Sequence, residues 1–148
     1  MEPVKIILLV EDNPDDQELA RLALSHCGID NQVVVMEDGV QALDFLFGDG
    51  AFADHGERLP PAVVLLDLKL PKIDGTEVLR RLRDDPRTCL LPVVVLTTSK
   101  EEQDIARSYE LGANSYIRKP VEFEQFTQAV AQLGLYWLSL NEHPYLRA

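Results

Sequence analysis

The chain has 148 residues, 46% hydrophobic and 26% charged, the balance of one ordinary globular domain with room for a buried core. Twenty-five acidic against 14 basic residues give a formal charge of −11, which argues against sequence-independent nucleic-acid binding, since that runs on clustered Lys and Arg. No apolar run reaches the roughly 18–20 residues of a bilayer span, and Met1-Glu-Pro-Val-Lys5 lacks a signal-peptide charge pattern, so the expectation is a cytoplasmic protein without membrane insertion.

Short β-branched runs alternate with longer stretches of helical period. The first strand, about 5–10, finishes on Glu11-Asp12, and a helix follows at about 15–27. In that helix Leu19, Leu22, Ala23 and Cys27 are expected to form the inward stripe, with Gly28 as the stop signal. A strand at about 32–36 and a helix at about 39–47 lead into the segment Gly48–Pro61, whose Gly and Pro content marks a loop, of a length uncommon unless functional. The third strand, about 62–67, is a continuous apolar run that ends on Asp67, and the helix at about 75–84 sets Glu77 against Val78, Leu79 and Leu82. A fourth strand at about 93–97 finishes on Thr97, before a helix at about 101–111. The fifth strand, about 115–118, finishes on Lys119-Pro120, and a last helix covers about 122–138. Cys27 and Cys89 have neither metal-ligand nor disulfide spacing and are read as inert thiols.

Strict β–α alternation predicts one α/β domain, a doubly wound five-stranded parallel sheet with helices on both faces. Ligands of such sheets bind beyond the carboxyl ends of the strands. Four of these ends carry Glu11, Asp12, Asp67, Thr97 and Lys119, a set suited to Mg²⁺ and a phosphoryl group. Asp12 and Asp67 offer ligands, with the Lys69 carbonyl as a further one and Glu11 holding a water or the geometry. Asp67 is the candidate nucleophile, forming an acyl phosphate; Lys119 would pair with a phosphoryl oxygen and the Thr97 hydroxyl with another. Each residue also has a plain reading: Asp67 as turn former, Asp12-Asn-Pro-Asp15 as helix opener, Thr97-Thr-Ser99 as N-cap of the fourth helix, Lys119 as a solvated lysine. Four such coincidences at four strand ends are jointly improbable.

The segments Leu8-Leu-Val-Glu-Asp12-Asn-Pro14, Leu65-Leu-Asp67-Leu-Lys-Leu-Pro71-Lys-Ile-Asp-Gly75, Pro92-Val-Val-Val-Leu-Thr97 and Gly112-Ala-Asn-Ser-Tyr116-Ile-Arg-Lys119-Pro120 resemble, in order, the receiver domain of two-component response regulators. The resemblance implies a (βα)5 flavodoxin-like receiver fold with strand order 2-1-3-4-5, spanning 1–148 with a core at about 4–133 and a C-terminal extension at 134–148. It implies that Asp67 accepts a phosphoryl group from a sensor kinase's phosphohistidine, with Mg²⁺ held by Asp12, Asp67 and the Lys69 carbonyl beside Glu11. Thr97 and Tyr116 would form the switch pair, and the Lys119–Pro120 bond would be cis. Thr98 stands where the family usually has Ala or Gly, Leu70 where Met is common, and Lys69 and Ser99 at positions that tune dephosphorylation.

The loop at 48–61, Leu96-Thr-Thr-Ser99 and the Tyr136-Trp137 tail look more narrowly like response regulators paired with bacterial and cyanobacterial phytochromes. The implied partners are a sensor histidine kinase, phytochrome-like in the narrower reading, and a downstream histidine phosphotransfer protein if phosphate is passed on. The apolar tail Leu133-Gly-Leu-Tyr-Trp-Leu-Ser-Leu140 leaves three readings: packing on its own domain, a homodimer face, or a docking site. Two rivals to the phosphorelay are a phosphorylation-independent binding module and a phosphatase of the haloacid-dehalogenase type. The second needs an acid where Lys69 stands, and lysine cannot act as that carboxylate. Activity beyond phosphorylation and dephosphorylation of Asp67 itself is not expected.

Overall fold

A computed structural model describes residues 4–50 and 60–145. Its strands are β1 (Lys5–Val10), β2 (Asn31–Met36), β3 (Val63–Leu66), β4 (Val93–Thr97) and β5 (Ser115–Arg118). They form one parallel sheet in the order β2-β1-β3-β4-β5, as the resemblance implied. The helices are α1 (Pro14–Ser25), α2 (Gly39–Phe47), α3 (Gly75–Asp84), α4 (Glu102–Glu110) and α5 (Phe123–Leu135).

Side chains alternate across a strand, so each central strand feeds two cores. Leu8, Val10, Val64, Leu66, Val93 and Val95 meet α2 and α3 residues, including the fully buried Val78, Leu79 and Leu82. Ile7, Leu9, Val63, Leu65, Val94 and Leu96 meet α1 and α5 on the other face. The expected polar–apolar division of α3 is therefore present.

Local chemistry starts three helices. Asn13 Oδ1 accepts the N–H groups of Asp15 and Asp16 at 2.9 and 3.2 Å, with Pro14 at the first helical position. Asp38 and Asp74 cap α2 and α3 in the same way. Helix α4 has no side-chain cap, and among its residues only Ser108 is buried.

Two expectations need correction. Of the expected α1 stripe, Ala23 is buried and Leu19 and Cys27 pack against the same core, but Leu22 is 46% exposed, and Ala20 and Leu24 are buried instead. Leu22 and Leu24 are equally apolar; α5 decides between them. A Cβ on Gly134 would come 2.8 Å from Leu24 Cδ2, so the two helices approach closely there. The last helix also does not run regularly to 138. Helix α5 ends at Leu135 and passes into a π-helical turn, Tyr136–Leu140.

That turn drives Leu138 into the α1–α5 core, where it is 1% exposed, and the Lys5 ammonium donates to its carbonyl. The chain then returns beneath the sheet. His143 Nε2 lies 2.9 Å from the Pro61 carbonyl, and the Tyr145 hydroxyl accepts the Leu90 N–H at 2.9 Å. Part of the tail thus packs on its own domain, leaving Leu135, Tyr136 and Leu140 exposed. Leu138→Ala is expected to lower the unfolding free energy by about 2–4 kcal/mol in urea titrations, whereas Leu140→Ala should stay within about 0.5 kcal/mol of wild type. Residues 51–59 of the long loop lie outside the described residues.

Candidate functional site

Strands β1 and β3 are neighbours in a register that pairs Val10 with Leu66, so Glu11 and Asp67 leave the sheet side by side. The Asp67 N–H donates to the Val10 carbonyl at 3.1 Å and the Glu11 N–H to the Met36 carbonyl at 2.9 Å, fixing both exits. One carboxylate oxygen each from Glu11, Asp12 and Asp67 lie within 4.8 Å of one another. Glu11 and Asp67 are nearly enclosed, and Asp12 is open to solvent.

Lys119 enters from the far side of the sheet. Its N–H donates to the Thr97 carbonyl at 2.6 Å, which sets it just beyond β5. Its side chain is buried, and the ammonium donates to Glu11 Oε1, to Asp16 Oδ2 at 3.0 Å and to Asp67 Oδ2 at 3.1 Å. The plain reading of a solvated lysine is therefore wrong. Burial disfavours the ammonium, yet the hydrogen bond to Glu11 and the charge of Asp67 outweigh it, so the Lys119 pKa stands above the ordinary lysine value. For Glu11 burial is the largest influence and lifts its pKa to about 7, against the pull of Lys119. The Lys119 ammonium thus meets Glu11, Asp16 and Asp67, and Asp12 adds a fourth carboxylate to the cluster, so among the described residues the acids at this site outnumber its bonded cation. A hard divalent cation that takes carboxylate oxygens and keeps several waters fits that deficit.

The loop after Asp67 is held tightly. The Lys69 N–H donates to Asp67 Oδ1 at 3.2 Å, and the Gly75 N–H to the Leu68 carbonyl at 2.8 Å. A Cβ on Gly75 would stand 2.2 Å from the Asp67 carbonyl oxygen, so only glycine lets the start of α3 approach the acid so closely.

Thr97 is fully buried, and its Oγ1 accepts the Ser99 N–H at 3.4 Å. It is not a cap of α4: Ser99, not Thr97, bonds toward that helix, accepting from the Glu101 N–H at 3.3 Å and donating to Asp104 at 2.6 Å. The Tyr116 hydroxyl donates to the Ser99 carbonyl at 2.9 Å, so Thr97 and Tyr116 address the same short loop. Thr98 is exposed. The Lys119–Pro120 bond is trans, where the resemblance implied cis. Trans is the intrinsically favoured form of an X–Pro bond by about 0.5–1 kcal/mol, and Lys119 reaches all three acids from it.

Every site residue named from sequence thus gathers at the carboxyl end of the sheet. One was missed: Asp16, on the first turn of α1. Among adjacent acids at a helix start, only the fold distinguishes Asp16, which touches Lys119, from Asp15, which is exposed.

The family model for the response regulator receiver domain matches residues 7–131. The chain belongs to this family. As a receiver domain it is 42% identical to the probable methanogenesis regulatory protein FilR2 of Methanothrix harundinacea, over 94% of this chain and 87% of that protein. It is 40% identical to the response regulator Rcp1 of Synechocystis sp., over 92% and 90% respectively. The phosphorylated cyanobacterial phytochrome response regulator RcpA superposes with a TM-score of 0.89 at 42% identity, covering 96% of this receiver and 99% of RcpA. The Mn²⁺-bound form of Rcp1 gives 0.87 at 38%, covering 95% and 99%. The bacteriophytochrome response regulator RtBRR gives 0.75 at 51%, covering 96% and 85%. This receiver is therefore a homologue of phytochrome-associated response regulators, with an acidic cluster suited to a divalent metal. Among the described residues, no helix is long and apolar enough to cross a membrane.

Proposed function

We propose that the protein is a cytoplasmic response regulator of a phosphorelay, its receiver domain having a core at about 4–133 and an extension at 134–148. Asp67 attacks phosphorus of a kinase phosphohistidine. The Asp67 oxygen–phosphorus bond forms as the nitrogen–phosphorus bond breaks, and the imidazole leaves with the electron pair. The placement of the Lys119 ammonium 3.1 Å from Asp67 Oδ2, where it can follow a phosphoryl group added there, carries this reading.

Asp12, Asp67 and the Lys69 carbonyl, with Glu11 beside them, would hold Mg²⁺, which when bound offsets the repulsion a phosphoryl group meets among carboxylates. The Thr97 hydroxyl donates to one phosphoryl oxygen and Lys119 pairs with another. Tyr116 then gives up its bond to the Ser99 carbonyl and changes rotamer, shifting the population of the partner-binding surface. Chemistry on an outside substrate is not part of this reading, which confines turnover to phosphorylation and dephosphorylation of Asp67.

Identity to named phytochrome response regulators supports a phytochrome-like histidine kinase as the donor. A histidine phosphotransfer protein is a candidate recipient. Exposed Leu135, Tyr136 and Leu140 support a homodimer through the extension; sedimentation at micromolar concentration, with and without phosphorylation, should give twice the 16.6 kDa chain mass. A chain mass in both states would remove the dimer.

Intact mass after incubation with acetyl phosphate tests the central reading. A Mg²⁺-dependent phosphoryl adduct is expected. No adduct from acetyl phosphate, and none from a purified phytochrome-like kinase, would leave the protein a binding module.

A further inference from the structure

Lys119 can donate three hydrogen bonds from its ammonium, and all three go to carboxylates: Glu11, Asp16 and Asp67. Of these acceptors, Glu11 and Asp67 belong to the metal cluster, and Asp67 is also the proposed acceptor of phosphate. Asp16 belongs to neither role. It stands on α1 rather than at a strand end, its backbone fixed by the Asn13 cap, and its side chain is only 27% exposed. We propose that Asp16 is a positioning residue that competes with the incoming phosphoryl group for Lys119, and so restrains phosphoryl uptake by Asp67.

The physics is that of one donor shared among rival acceptors. In the resting receiver the ammonium is saturated by anions, and a phosphoryl oxygen must displace one of them to gain a charge-assisted hydrogen bond. Displacing Glu11 would leave a nearly enclosed carboxylate without its cation, which is costly. Asp16 is the more exposed acid, so water can replace Lys119 there at least cost, and it yields first. As Asp16 releases the ammonium, the Asp67 oxygen–phosphorus bond forms and the donor bond breaks, the leaving group taking its electron pair. The strength of the Asp16–Lys119 contact therefore sets part of the barrier. This inference rests on the phosphoryl-acceptor reading above.

The test is the rate of adduct formation with acetyl phosphate at saturating Mg²⁺, followed by intact mass for wild type, Asp16→Asn and Asp15→Asn. Asp15 is exposed and its neighbour's twin in charge, so Asp15→Asn reports the change in field without the Lys119 contact. Asp16→Asn is expected to form the adduct about three to ten times faster than Asp15→Asn. In a Lys119→Met background the added Asp16→Asn change should have no effect, because a residue acting only on the stability of α1 would keep its influence there. Equal rates for the two asparagine variants, or a slower Asp16→Asn, would overturn the competition. So would an acceleration that survives in the Lys119→Met background. Should Lys119→Met fail to fold by circular dichroism, the comparison of the two asparagine variants decides alone. An absence of adduct in wild type with both acetyl phosphate and a purified kinase would instead remove the acceptor reading itself, and the inference with it.

Discussion

Asp67→Asn is expected to take up no phosphoryl group while keeping its fold. An amide oxygen is a poor nucleophile for phosphorus, and among the described residues no other carboxylate shares the position of Asp67 beside Lys119 and below the Gly75 approach. The fold should survive because the change is isosteric and the ammonium retains Glu11 and Asp16. It also removes one of four mutually repelling carboxylates, so stability without metal is expected to equal or exceed that of wild type. Intact mass with acetyl phosphate and a urea titration check both halves. Persistent labelling of the variant would take Asp67 out of its assigned role.

Lys119→Met should behave in the opposite way. It keeps an apolar stem of similar length but removes the one ammonium that, among the described residues, is bonded within the cluster. Taking one partner from a buried ion pair typically costs about 3–5 kcal/mol, because the other charge is left enclosed and uncompensated. A loss of about 3 kcal/mol in unfolding free energy is therefore expected without metal. Millimolar Mg²⁺ should restore much of it, since a bound cation answers the same charge deficit and binding to the native state stabilises it. A loss of equal size with and without Mg²⁺ would mean that Lys119 matters by packing rather than by charge. Adduct formation should persist at a reduced rate in this variant, while any phosphorylation-dependent association with a partner is lost.

Asp16 and Lys119 mark where sequence reasoning stops. Lys119 was legible as a site residue from its place at a strand end, yet nothing local distinguishes it from a solvated lysine. Its burial follows from the β4–β5 register and the bond from its N–H to the Thr97 carbonyl. Asp16 carries no signal at all beyond that of an acid in a first helical turn. Its contact with a lysine 103 positions away exists only because the folded sheet lets the Lys119 side chain reach from the end of β5 to the first turn of α1. Of the stripe expected on α1, Leu19, Ala23 and Cys27 do pack inward, and Leu22 alone was misplaced for a related reason: the approach of Gly134 brings Leu24 into the core instead. The regular helix expected to 138 failed because a π-helical turn lets Leu138, rather than the exposed Tyr136, fill the core.

By itself the sequence determined the alternation of five strands and helices, the parallel sheet they imply, and the strand ends at which Glu11, Asp12, Asp67, Thr97 and Lys119 stand. These are consequences of short-range rules, apolar period and chain alternation, that act within a dozen residues. Tertiary structure alone decided which acids share the Lys119 ammonium, which face of α1 is buried, and where the tail returns beneath the sheet. Those outcomes depend on distances between residues far apart in the chain, and such distances are set only when the sheet has closed and the helices have packed on it.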